Sequence, residues 1–298
     1  MIVETENVME LNIIVLAKQV PDTRNAGSQA MNDDGTINRS ALPAIFNPED
    51  LNALEQALLL KEANPGSRIT VLTMGPERAA DILREALYRG ADEGILLTDR
   101  AFAGADTLAT SYALSMAVKK IGKYDVVFAG RQAIDGDTAQ VGPQVAQMLG
   151  LPQITSVRRV VSMEDGKVVA ERFVENGTET VKAPLPLLMT VAGEAAACRP
   201  RNAYRMLHYH CAATPQECAA EGFRYASRVA EDPTLQLKVW NLETVGGDAA
   251  RCGLSGSPTK VKKVDSIVFK VKDSKRYTAS DGDIKALVTE LLSNHIIG

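Results

Sequence analysis

The sequence predicts an α/β protein built on a doubly wound, mostly parallel sheet, with an antiparallel hairpin addition and an extended C-terminal arm. Two observations carry that prediction. Short, fully apolar runs alternate with longer segments of helical period as far as residue 150, which is how parallel strands covered on both faces read. The rhythm then changes to strands joined by Asp165-Gly166 and Asn176-Gly177, both strong hairpin turn signals.

In order, Leu11–Ala17 is the first strand. Asn47 and Pro48 then open a helix as N-cap and first residue, with Leu51, Leu54 and Leu58 on one face. Arg68–Thr73 is a strand, Glu77–Tyr88 a helix, and Ile95–Thr98 a strand. A helix from Ala105 buries Leu114, Val118 and Ile121. Tyr124–Ala129 is an apolar strand, and Thr138–Leu149 is the helix after it. Ser156–Met163, Val168–Val174 and Glu179–Lys182 form the antiparallel addition, and Leu187–Val191 is one more strand after Pro184-Leu185-Pro186. The expected division is a nucleotide-binding α/β domain over 1–195 and, over 196–298, a recognition loop, an insertion and an arm that packs on a partner. The last segment is less periodic, with one late helix near Asp283–Leu292, and a hundred such residues rarely form a compact domain alone.

Bulk composition narrows the function classes. The 298 residues are 45% apolar and 23% charged with a net charge of −4, so nucleic acid is not an expected partner, because its binding needs a basic face. No apolar run is long enough to insert in a membrane. Met1–Glu10 carries three glutamates and no Lys or Arg, unlike a signal peptide. Four unevenly spaced cysteines suggest a reducing compartment. The expected location is cytoplasmic.

The most informative stretch is Gly130-Arg131-Gln132-Ala133-Ile134-Asp135-Gly136-Asp137-Thr138-Ala139-Gln140-Val141-Gly142-Pro143. It follows a buried strand and opens a helix, at the carboxyl edge where doubly wound sheets bind ligands. Gly136 permits a tight turn, Asp137 or Thr138 is positioned to cap, and the free N–H groups of Thr138, Ala139, Gln140 and Val141 face a phosphate. An ordinary capped connection reads the same way. Three segments should meet this edge: Leu16 to Lys18, Asn47 to Asp50, and Thr73 to Pro76. A fourth, Asp99 to Thr110, offers Gly104 and Asp106 as a second loop-to-helix anion site, with Thr107 beside it and Arg100 as a nearby positive charge.

These residues resemble a known family. Gly130–Pro143 looks like the β-subunit signature of electron transfer flavoproteins, as do Lys18-Gln19-Val20-Pro21-Asp22-Thr23, Asn47-Pro48 and Met74-Gly75-Pro76. The resemblance covers residues 11–195 and resumes at Gly253-Leu254-Ser255-Gly256-Ser257-Pro258-Thr259. It implies a heterodimer with an α subunit that carries the electron-transferring FAD, and an AMP buried in ordinary β subunits. It places nucleotide contacts on Leu16, Asn47 to Asp50, Met74 and Gly130 to Val141. Asp99 to Thr107 is similar to the electron-bifurcating group, in which FAD replaces AMP. That likeness implies NADH as electron donor, with ferredoxin and the α-subunit flavin as acceptors. An AMP-binding subunit serving an acyl-CoA dehydrogenase-like or other flavin dehydrogenase is the alternative. A stand-alone nucleotide-binding or adenylating enzyme is a reading of another class, and Lys18-Gln19-Val20-Pro21 stands where its pyrophosphate-gripping loop would be. The sequence departs from the family after Arg201, with extra residues near Leu207 to Ser227 and a recognition loop near Ala192–Arg199.

No catalytic acid or base is expected, because in such a protein the cofactor supplies the chemistry. His208, His210, Cys211 and Cys218 cluster in the insertion, but their spacing matches no standard metal motif, and no metal is expected there. Cys198 and Cys252 read as structural. Gly253–Ser257 lacks the final glycine of a nucleophile elbow, and neither a dinucleotide glycine fingerprint nor a Walker sequence is present.

Overall fold

The computed structural model describes residues 9–22, 42–164, 166–259 and 274–297. Among them lie a nine-stranded sheet, a separate two-stranded sheet and eight α-helices. The strands of the large sheet are β1 (Asn12–Ala17), β4 (Arg68–Met74), β5 (Glu93–Leu97), β6 (Val126–Gly130), β7 (Gln153–Glu164), β8 (Lys167–Val174), β9 (Gly177–Pro184), β10 (Leu187–Val191) and β11 (Lys238–Trp240). Their spatial order is β11-β5-β4-β1-β6-β10-β7-β8-β9. All neighbours from β11 to β7 are parallel, and β7-β8-β9 is an antiparallel meander. The expected fold class is therefore the observed one.

Strand periodicity sorts the core into two layers. Ile13 and Val15 of β1, with Val126 and Phe128 of β6, face α1 (Pro48–Ala63) and α2 (Ala80–Arg89). Ile14 and Leu16, with Val127 and Ala129, face α3 (Thr107–Ile121) and α4 (Val141–Leu149). The central strands are apolar at successive positions because both of their faces are covered.

The chain leaves β1 through α1 to β4 on one side, then returns after β5 through α3 to β6 on the other side of β1. The connections that follow β1 and β6 thus diverge, which opens a crevice at their carboxyl ends. β2 (Gln19–Pro21) and β3 (Ala44–Phe46) pair antiparallel directly after β1. This small ladder has too few residues for a period-2 pattern to register, and the sequence reading missed it.

Three element boundaries differ from expectation in ways that matter. The helix expected from Thr138 begins at Val141, because Asp137 and Ala139 have φ of 50° and 53° and a right-handed helix cannot include them. The helix expected from Ala105 begins at Thr107, where Asp106 caps it. Nearly every position of α1's first three turns is buried, polar ones included, rather than one leucine face alone.

Residues 196–259 close back on this chain's own sheet. β11 extends the sheet beside β5. The insertion contributes α5 (Ala203–Tyr209), α6 (Pro215–Ala219) and α7 (Ala226–Glu231). Arg84 of α2 holds this insertion through the Ala212 carbonyl (2.7 Å) and the Glu217 carboxylate. Arg205 of α5 donates to the carbonyls of Leu87 and Ala91 at the end of α2. The late helix α8 (Asp281–Ser293) buries none of its residues within the chain. Met1 to Val8 and Thr23 lie outside the described residues.

Candidate nucleotide site

The loop after β6 is shaped from below by the first turn of α1. Asn47 occupies the N-cap position, but its side chain makes no cap hydrogen bond. Instead its Nδ2 donates to the Gln132 carbonyl (2.9 Å) and its Oδ1 accepts from the Ile134 N–H (3.1 Å). Glu49 accepts from the Gln132 N–H (2.9 Å) and from Arg131 Nη2 (2.9 Å). Asp50 accepts from the Gly130 N–H (3.0 Å) and the Lys18 N–H (2.8 Å), joining the ends of β6 and β1. Gly130 is required at this junction. A Cβ there would lie 2.4 Å from Asp50 Oδ1 and 2.8 Å from the Asp50 backbone nitrogen.

Asp50 is enclosed by these contacts. Burial pushes its carboxyl up to about 7, against the opposing pull of the Lys18 and Gly130 N–H groups, the Asn47 side chain and the Lys18 charge. The hydrogen bond that Arg131 donates to Glu49, outweighing partial burial, raises the Arg131 guanidinium above its ordinary value.

Beyond Ala133 the loop turns outward. The Gly136 and Asp137 N–H groups return to the Ala133 carbonyl, and Lys18 Nζ pairs with Asp135 (2.7 Å). The N–H groups of Thr138, Ala139 and Gln140 find no backbone acceptor among the described residues. At the start of α4, Val141 and Gly142 add the unpaired N–H groups that every helix N-terminus has, and Pro143 has none to add. Ala139, left-handed, precedes the right-handed Gln140, and such alternation turns successive N–H groups toward one point, an anion nest. Gly136 is exposed, and a Cβ there would meet no protein atom within 4 Å. Free amides, a helix terminus and open space at Gly136 are the donor set that a nucleotide phosphate fits.

The other candidate residues are placed as follows. Leu16, 5% exposed, ends β1 on the α3/α4 side, and Met74 is half-buried at the end of β4. Leu16, Asn47, Asp50, Met74 and 130–141 thus gather at one edge of the sheet. The side chains of Asn47 and Asp50 are directed to the loop rather than into open space.

Around α3 the donors are already engaged. Asp106 Oδ1 accepts from the Leu108 and Ala109 N–H groups (3.0 Å each), and Oδ2 accepts from the N–H (3.0 Å) and Oγ1 (2.7 Å) of Thr259. Burial alone would raise its carboxyl, yet these donors hold it below the usual aspartate range. The second anion site anticipated at Gly104 and Asp106 therefore has its helix amides filled by Asp106 itself. Asp99 accepts from the N–H groups of Ala101 (3.0 Å) and Leu242 (3.1 Å). Thr107 donates to Gln140 Oε1 (2.9 Å), linking the starts of α3 and α4, and Arg100 is exposed.

Sequence reasoning included Glu49 only within the Asn47 to Asp50 segment and missed that it holds the loop through Arg131 and Gln132, because an acid in a helix's first turn ordinarily reads as a response to the dipole. It also omitted Gly142, whose absent Cβ lets α4 approach Thr190 of β10. The His/Cys cluster does not converge. His208 Nε2 meets Thr234 Oγ1 (3.1 Å), the His210 ring stacks edge-on to Tyr225, and Cys211 is buried. Among the described residues no His/Cys/Asp/Glu group could hold a metal ion, and no helix is long and apolar enough to cross a membrane.

Comparison with known proteins gives this site a context. A family model described as the electron transfer flavoprotein domain matches residues 34–206. The electron transfer flavoprotein subunit beta of Clostridium acetobutylicum is 44% identical over 253 residues, 85% of this chain and 87% of that protein. Subunit CarD of the caffeyl-CoA reductase-Etf complex of Acetobacterium woodii is 43% identical over 251 residues, 84% of this chain and 86% of its own. The acryloyl-CoA reductase electron transfer subunit gamma of Anaerotignum propionicum is 38% identical over 291 residues, 96% of this chain and all of that one.

Proposed function

This chain belongs to the electron transfer flavoproteins, as a β subunit, and on that premise we propose that it holds the phosphate-bearing part of FAD in the crevice between β1 and β6. The observation that carries the reading is the set of free amides at 138–142, on a loop whose first part, 130–134, is held by Asn47, Glu49 and Asp50. When bound there, FAD supplies the hydride-accepting and electron-splitting chemistry, with NADH as donor and a ferredoxin and the α-subunit flavin as acceptors. The chain's own residues bind and orient. The nest takes the phosphate, the ends of β1 and β4 at Leu16 and Met74 wall the crevice, and Thr107 with Gln140 closes its outer side. Relatives named for caffeyl-CoA and acryloyl-CoA reductases support a flavin dehydrogenase or reductase as the further partner, in the cytoplasm.

β subunits of this family pair with an α subunit. In our reading the arm beyond 259 reaches it, and the loop 192–199 meets the dehydrogenase. α8 supports the first contact: Ile284, Leu287, Val288 and Leu292 form an apolar stripe at helical spacing, each at least 37% exposed.

One observation favours AMP instead. Asp106 takes the Leu108 and Ala109 amides at the start of α3, so the free loop and helix-start amides lie in one place and suit a single phosphate group. Denaturing the purified heterodimer and quantifying the released nucleotides decides between them. Two FAD per heterodimer is the expected result, one FAD with one AMP moves the function to the AMP-binding kind, and no nucleotide on this subunit overturns both.

A further inference from the structure

Two loops leave the same edge of the sheet side by side: 130–134 after β6 and 192–199 after β10. Their starts are held side by side by the Arg131 N–H, which donates to the carbonyl of Val191, the last residue of β10 (2.8 Å). Polar side chains along α1 reach both. Toward the first go Asn47, Glu49 and Asp50. Toward the second, Asn52 Nδ2 donates to the carbonyls of Ala195 (2.8 Å) and Ala196 (3.1 Å), while Glu55 accepts from the Arg199 N–H (2.9 Å).

Glu49 stands where the two sets meet. It is 8% exposed. Its carboxylate holds Arg131 and the Gln132 amide, and Gly193 packs beside it at ordinary van der Waals distance, a Cβ there meeting Glu49 Oε1 at 3.4 Å, while Asn52 Nδ2 reaches the Gly193 carbonyl (3.4 Å). A buried carboxylate is costly unless it is hydrogen-bonded on geometry that fixes its partners. An apolar side chain could fill this space without that cost, but it could not tie a guanidinium and an amide in place.

We propose that Glu49 is a positioning residue that sets the nucleotide loop and the 192–199 loop together, so that an occupant of the first is felt in the second. By linkage, whatever docks on 192–199 alters nucleotide affinity by the same factor. The half concerning an occupant rests on the nucleotide reading above; the half concerning the two loops does not.

The test is hydrogen–deuterium exchange on the full chain purified with its paired α subunit, as wild type, Glu49→Gln and Glu49→Ala. Nucleotide is first stripped, then AMP or FAD is added to saturation. Without nucleotide, Glu49→Ala should speed exchange in 131–134, where charge-assisted hydrogen bonds are lost, and in 193–196, where the packing of Gly193 on the carboxylate is lost, together and by roughly fivefold or more. Glu49→Gln, which keeps an acceptor for Gln132, should recover most of that protection. With nucleotide, exchange at 193–196 should slow in wild type but not in Glu49→Ala. The proposal is overturned if Glu49→Ala leaves 193–196 unchanged in both states, or if all peptides speed up alike with no rescue by Glu49→Gln. Failure of wild type to bind either nucleotide sinks the nucleotide reading alone, since the nucleotide-free comparison still decides the role of Glu49.

Discussion

Three neighbouring side chains, Asn47, Glu49 and Asp50, determine how the loop after β6 is held. Each occupies a helix-start position where its residue type would be unremarkable, and each is turned to another use. Asp50 gives this a thermodynamic signature. Its carboxyl is raised from 3.8 to about 7 by burial, so the native state holds a proton that the unfolded chain releases. Stability should therefore fall as pH rises from about 4 to about 7 and level off above, the sign that linkage assigns to a raised acid. Urea denaturation of wild type and Asp50→Asn across that range checks it, and the variant should lack this part of the fall. Parallel curves would contradict the assignment.

At the same scale, Gly130→Ala and Gly136→Val separate structure from binding. The first places a methyl against Asp50 and should cost about 1–3 kcal/mol of stability, as overpacking does. A Cβ at the second meets no protein atom within 4 Å, so with nucleotide stripped from both proteins that variant's unfolding midpoint should match wild type, while the variant fails to bind added nucleotide. Retention of full nucleotide by Gly136→Val would show that the phosphate lies elsewhere.

Among the elements, α3 and the segment ending at Thr259 are joined through one carboxylate. Asp106 caps the helix on one oxygen and holds Thr259 on the other. Asp106→Ala should cost about 0.5–2 kcal/mol, as loss of a good N-cap does, and should also release the Thr259 amide to fast exchange. Loss of stability without that release would mean that the Thr259 contact is incidental. The helices and strands of the first 195 residues were largely legible because buried parallel strands and covered helices leave strong periodic patterns. The true start of α4 was not. Asp137 and Ala139 take left-handed conformations without being glycine, at a cost of about 1–2 kcal/mol each. Only the surrounding contacts impose that, and no residue type announces it.

For the molecule as a whole, the two ends of the chain differ in how they are supported. Helices cover the central strands on both faces, whereas α8 has 13 residues and no buried position in this chain. A helix of that length is marginal alone in water, and the contact with the α subunit proposed for its apolar stripe would supply the missing burial. Leu287→Asp should weaken heterodimer formation while leaving the unfolding of the sheet unchanged, read by analytical ultracentrifugation and denaturation together. Unaltered association would remove α8 from the interface. The sequence also placed Leu16, Asn47, Met74 and 130–141 at one edge of the sheet, and they do converge at the strand ends. It could not show which polar groups remain free there. The carboxylates of Asp50, Asp99 and Asp106 look like ligand contacts in one dimension, and each has its partners within the chain. Those partners come from segments up to 153 residues away, beyond the reach of local spacing.

The most direct measurement is a crystal structure of the heterodimer with its nucleotides retained. The account predicts a phosphate of this subunit's nucleotide within hydrogen-bond distance of the amide nitrogens among 138–142, with the Asn47, Glu49 and Asp50 contacts intact beneath it. A well-ordered map in which those amides bind only water or a side chain, with the nucleotide gripped elsewhere, would contradict it.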